Sequence, residues 1–191
     1  TAGKQRALQE VFTAFKKKFD RLYAAELPSL RNWQKTLRAS LGTKRRNEEI
    51  VRSLTVLHGP PCRECTRPIP LYLLVSAPGG IGGSTDIDGW RITAEVSQSP
   101  QDKLPHILGT IWHEVIHLCF DKQHFRPILE RLYPRDEKTV RRINEVVAAT
   151  LFPAGILCEK FFNIPLQLPT RSLASPQKAQ KILELSPLYL Q

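Results

Sequence analysis

One pentapeptide limits this chain more than any other stretch: His113-Glu114-Val115-Ile116-His117 lies inside an apolar run with helical periodicity, from about Lys103 to Phe120. On a helix, positions i and i+4 lie one above the other, ~5–6 Å apart at Cβ. Ile111, Trp112, Val115, Leu118 and Cys119 form the opposite, apolar face of the same helix, and Gly109 and Thr110 leave room on the histidine side. A core-grade helix does not carry two imidazoles and a carboxylate without reason, because each buried unpaired polar group costs ~1–3 kcal/mol. Internal hydrogen bonding of the two histidines is the plain alternative. The sharper reading is that both imidazoles grip one Zn2+ through ring nitrogens at ~2.0–2.1 Å. Glu114 then flanks the ion rather than binding it, where the general base for a water acidified to a pKa of ~7 belongs.

A catalytic zinc takes three protein ligands and keeps one open position. Two residues compete for the third place. Glu145, Ala148, Ala149 and Phe152 fall at i, i+3, i+4 and i+7, a stripe on which only Glu145 is charged. A carboxylate on such a seam wants a cation, since an unpaired buried charge costs several kcal/mol. A surface pair with Arg141, four residues earlier, is its ordinary alternative. The rival is His124, seven residues after His117. Glu145 is favoured because its apolar setting demands a partner. Tyr133, His106 and His124 are the candidates for stabilising an oxyanion.

His113-Glu-x-x-His117 followed by Asn144-Glu145 on a helix resembles the gluzincin branch of the zinc metallopeptidases. The stretch from Glu145 through Ala148 to Pro153 is also similar to the ImmA/IrrE-like intracellular peptidases. The likeness spans residues 90–153 at most. It implies an α+β zincin-like metallopeptidase domain, with a small sheet, an active-site helix and following helices. It implies zinc held by His113, His117 and Glu145, with Glu114 as catalytic base for peptide-bond hydrolysis. It further implies an edge strand, Trp90 to Ser97, that pairs with extended substrate. Thermolysin-like members carry an Asp four residues after the ligand Glu; this chain has Ala149 there, which leaves the partner of a ligand histidine unassigned. With His124 as third ligand the chain resembles SprT-like, DNA-associated proteases, but their downstream cysteine ribbon is missing and the Cys62-x-x-Cys65 pair lies upstream.

Three segments are expected. Residues 1–58 read as a basic helical unit. Leu8, Phe12, Phe15, Phe19 and Leu22 stripe one helix, Pro28 suits the first turn of a second, and Thr43 starts a third that Gly59 ends. Residues 59–162 form the catalytic domain. Leu71–Ser76 is a buried strand, Pro78–Gly89 a Gly-rich loop, and the alternation of Trp90, Ile92, Ala94 and Val96 a half-buried strand. Helices follow near Phe125–Tyr133 and from Asp136 to Phe152. Residues 163–191, rich in Pro and Ser, read as a strap or tail.

Charge adds a partner. The net charge is +10, and residues 1–52 hold 13 Lys/Arg against 5 Asp/Glu. Nucleic acid or an acidic protein is a candidate partner for the basic unit, a merely solvated face is the ordinary alternative, and a non-catalytic nucleic-acid-binding or scaffold protein with a vestigial metal site is the other reading of the chain. The longest apolar run, residues 146–158, is interrupted by Pro153 and Gly155 and is shorter than the ~20 residues of a membrane span. Four cysteines are too few for a disulfide scaffold, so an intracellular protein, cytoplasmic or nuclear, is expected. With no methionine and a start at Thr1, the chain reads as a processed or trimmed piece. Cys62 and Cys65 are half of a structural zinc site, which His58 and either Cys119 or Cys158 could complete if the fold brings them close; a redox pair or an idle loop is the more ordinary reading. Pro78 to Thr85 lacks the lysine of a phosphate-binding loop, and Asp86-x-Asp88-Gly89 lacks the spacing of a calcium loop.

Overall fold

The fold is α+β, and in the computed structural model it is described over residues 2–77, 80–96, 98–153 and 155–166. The strap expected over 163–191 therefore falls largely outside the described residues. No helix among those described is long and apolar enough to cross a membrane.

The chain opens with α1 (Ala2–Leu41), a single helix of 40 residues with Pro28 inside it. Two helices divided at Pro28 were expected. Proline removes one backbone donor and crowds the preceding turn, but the apolar stripe runs through it in phase. Leu8 to Leu22 and Leu30, Trp33 and Leu37 occupy one face, so the second half locks the first into line. Only that second half is covered: residues 3–25 are exposed, whereas Leu30, Trp33 and Leu37 are buried. The Trp33 indole N–H donates to the Ser99 carbonyl at 3.2 Å, tying the helix to the loop before the helix that carries His113 and His117. Helix α2 (Lys44–His58) turns back through Gly42 and Thr43. Thr43 provides no side-chain cap; Arg46 and Asn47 instead donate to the Ser40 and Leu41 carbonyls at the end of α1. The basic unit thus has two helices rather than three.

The sheet has three strands, β1 (Leu71–Leu74), β2 (Gly82–Asp86) and β3 (Arg91–Glu95), in the order β1-β3-β2. β1 runs parallel to β3, with Leu73 opposite Ala94. β2 and β3 form an antiparallel hairpin, with Ser84 opposite Thr93. Two expectations change here. The strand within 90–97 is paired on both sides, so it is not an edge. The Gly-rich segment is a loop only in part, because Gly82–Asp86 is one of the two edge strands. Its Gly-Gly-Ser-Thr-Asp sequence has no apolar alternation to announce a strand. It is held by the β3 ladder and by packing on the helix beneath it.

That helix is α3 (Leu104–Cys119), which a tight π-helical turn, Asp121–Phe125, connects to α4 (Arg126–Leu132). α5 (Glu137–Leu151) begins with Asp136, whose carboxylate accepts from the Thr139 N–H, and α6 (Ile156–Phe162) closes the described fold. Ile92 and Ala94 of β3, Ile107, Ile111 and Ile116 of α3, Ala148 of α5 and Cys158 of α6 share one buried cluster with Trp33 and Leu54. Gly109 lets α3 sit close to the α5–α6 connection. A Cβ there would lie 2.6 Å from Cys158 Sγ and 2.7 Å from the Pro153 carbonyl.

Candidate metal centre

α3 lies across the middle of the fold and turns His113 and His117 to the same side. Their Nε2 atoms are 3.0 Å apart. Helix α5 crosses α3 and brings Glu145 to them, its Oε2 lying 3.4 Å from His113 Nε2 and 3.5 Å from His117 Nε2. The two alanines that follow Glu145 permit this approach; Ala148 is fully buried. Glu145 pairs with the histidines, not with Arg141. Ligand atoms of all three residues fall within 4.8 Å of one another, so the group could hold a metal ion. The His124 side chain lies outside what the structure describes.

The tautomers suit that role. His113 Nδ1–H donates to the Phe152 carbonyl at 2.9 Å, and a carbonyl can only accept. His117 Nδ1–H donates to Asp121 Oδ2 at 2.5 Å. Each bond engages Nδ1–H and turns Nε2 toward the shared point. Asp121 is itself buried and accepts from Asn144 Nδ2 at 2.5 Å. One carboxylate thus orients a histidine of α3 and is held by α5. This is the partner that Ala149 left unassigned, supplied from α3's own continuation, four residues after His117. Its signal in the sequence was that i+4 spacing, hidden because Asp121 follows the apparent helix end.

Electrostatics follow from these bonds. Contact with His113, then with His117, holds the Glu145 carboxyl well below the usual carboxylate range. Burial pulls the His117 imidazole down, but hydrogen bonds to Asp121 and Glu145 outweigh it and push the group up to about 10. In the metal-free chain, then, a proton on His117 stands where a cation would. Behind the site lies His58, buried against Phe120 and Phe125. Burial holds its imidazole below the ordinary value, with Asp121 pulling the other way.

Glu114 points to the cleft side of α3 and is buried. The Thr85 hydroxyl of β2 lies 2.7 Å from its Oε2 and 3.0 Å from its carbonyl. Nothing in the sequence marks Thr85, because its stretch of small, polar residues carries no strand pattern. β2 comes this close because of Gly83: a Cβ there would meet Thr110 Cγ2 at 2.8 Å and Glu114 Cγ at 3.0 Å. A cleft of about 430 Å³ opens over these groups, walled by Gly83–Thr85, by Glu114 and His117, and by Arg141 and Glu145. Tyr133 caps α4 and His106 lies in the first turn of α3; neither lines this cleft. Cys62, Cys65 and Cys119 meet at the C-terminal end of α3, without His58 or Cys158.

No family model, curated protein or solved structure matches the chain.

Proposed function

We propose that the chain is a zinc metallopeptidase with a zincin-like catalytic domain, hydrolysing peptide bonds in the cleft between β2 and α5. The observation that carries this reading is the convergence of His113 Nε2, His117 Nε2 and Glu145 Oε2 beside the buried carboxylate of Glu114. The donor set is the two-imidazole, one-carboxylate set of a catalytic zinc, with both Nδ1 atoms engaged elsewhere. A tetrahedral ion with ligands at ~2.0–2.1 Å needs nitrogens roughly 3.3 Å apart, close to the 3.0 Å found. Zinc held there by His113, His117 and Glu145 would supply a Lewis acid for a carbonyl oxygen and for a water.

The chain's own groups do the rest. Glu114 accepts a proton from the attacking water and returns it to the leaving amine. The Thr85 hydroxyl keeps the Glu114 carboxylate in one rotamer. Arg141 puts a positive charge on the cleft wall, where it favours a developing oxyanion. β2 has no strand partner on its outer side among the described residues, and Gly83 to Thr85 of that strand line the cleft. An extended peptide adding to this edge gains main-chain hydrogen bonds whatever its sequence. The role assigned to the strand at 90–97 thus passes to β2. The exposed, basic first half of α1, with Lys16, Lys17 and Lys18, would recruit the enzyme to nucleic acid or to an acidic protein.

The test is Glu114→Gln. The variant should bind zinc as tightly as the parent and lose cleavage of an unfolded protein by about 10²–10⁴-fold. Parental turnover in a zinc-loaded variant would end this mechanism.

A further inference from the structure

We propose a second metal site, built by the thiolates of Cys62, Cys65 and Cys119, that clamps the loop before β1 to the C-terminal end of α3. The three sulfurs lie within 4.8 Å of one another, and zinc bound at ~2.3 Å spaces its sulfur ligands by roughly 3.8 Å.

Local backbone brings them together. Cys62 enters a 3-10 turn, Arg63–Thr66, closed by Cys65 N–H donating to the Cys62 carbonyl at 3.0 Å. Residues i and i+3 eclipse in such a turn, so both sulfurs face one way, 2.7 Å apart, and an ion bound between them would part them by about 1 Å. The Cys62 N–H donates to the Cys119 carbonyl at 2.7 Å, which seats the turn on the last residue of α3. Cys62 and Cys119 are buried and Cys65 half-buried.

The position on the helix separates metal binding from redox chemistry. A reactive thiolate is stabilised at a helix N-terminus or beside a cation. Here the Leu118 and Cys119 carbonyls at the C-terminal end approach the sulfurs, at 3.9 Å from Cys62 and 3.7 Å from Cys65. That end carries partial negative charge, which opposes thiolates and favours a cation. Three thiolates collected there are stabilised by a divalent ion, which displaces their protons on binding. Cys119 is two residues past His117 and two before Asp121, so the clamp fixes the stretch that orients a histidine of the first centre.

Cobalt(II) titration of the full chain under reducing conditions tests this. The expected result is a near-ultraviolet thiolate-to-cobalt charge-transfer band. The band should persist in Glu114→Gln and in His113→Ala/His117→Ala, so its fate is separate from that of the peptidase reading. It should vanish in Cys65→Ser, with the loss of one bound ion per chain, and survive in Cys158→Ala. A wild-type chain saturated with cobalt(II) that shows no such band overturns the site without recourse to any variant. A band that survives Cys65→Ser overturns it too.

Discussion

Asp121 shows how a candidate metal centre depends on a residue outside the ligand set His113, His117 and Glu145. Asp121 accepts from His117 and from Asn144, and it lies buried. Removing it frees the His117 ring to rotate and lowers its basicity. Asp121→Ala should therefore weaken zinc binding by about 10–100-fold, measured by competition with a chromophoric chelator; Asp121→Asn, which keeps an acceptor oxygen, should lose less. Affinity equal to the parent in both would show that the pair is structural only. The same bond predicts a proton count. His117 rises from 6.5 to about 10 on folding without metal, against burial and because of Asp121 and Glu145. Its contribution to the stability of the metal-free fold is complete below pH 6.5 and is lost as pH rises through about 10. Zinc must displace that proton, so binding at pH 8 should release about one proton from His117. Calorimetry in two buffers of different ionisation enthalpy gives the number, and a value of zero would mean a neutral imidazole. His113, Glu114 and His117 were legible because helical spacing is rigid. Glu145 could be favoured because a lone charge on an apolar stripe needs a partner. Asp121 was not legible, because a carboxylate just past a helix end looks like solvent-facing loop.

β2 was the least legible element, and it shapes the cleft. Its residues are small and polar, so no hydrophobic period marks them, and the strand exists through pairing with β3 and contact with α3. Tertiary packing overrides local propensity there. The close approach rests on Gly83, which has Thr110 and Glu114 against it. Gly83→Val should push β2 outward, break the Thr85–Glu114 hydrogen bond and lower kcat by about tenfold or more, with zinc content unchanged. Metal analysis and peptide kinetics on the same preparation check this; parental kcat would show that β2 does not position the base. At the other extreme stands α1, whose two halves the sequence marks with a stripe in phase. Pro28 suggested a break, yet one lost donor is a local cost, while Leu30, Trp33 and Leu37 in the core fix the helix axis for turns on either side.

Burial divides the basic unit where charge does not, since residues 3–25 carry 6 Lys/Arg against 2 Asp/Glu and residues 26–52 carry 7 against 3. The second half of α1, through Leu30, Trp33 and Leu37, and one face of α2, through Ile50 and Leu54, pack into the cluster that supports α3, whereas residues 3–25 leave it, exposed and basic. Lysines 16 to 18 lie mostly off the apolar stripe of that helix, and Lys16 pairs with Asp20 at 2.7 Å across an exposed turn, an interaction that salt screens. If this arm meets phosphates, each neutralised phosphate releases a condensed counterion, and the observed affinity for duplex DNA falls with log salt at a slope of about −0.9 per contact. Filter binding of the full chain over a salt series should then give a steep slope, and Lys16→Gln/Lys17→Gln/Lys18→Gln should reduce it by up to about 3. Zinc binding at His113, His117 and Glu145 should be the same in that variant, since no described contact joins residues 3–25 to the centre. A slope near zero, or one the triple variant leaves unchanged, would remove nucleic acid as the ligand of this arm. An acidic protein would then be the remaining partner for its charge.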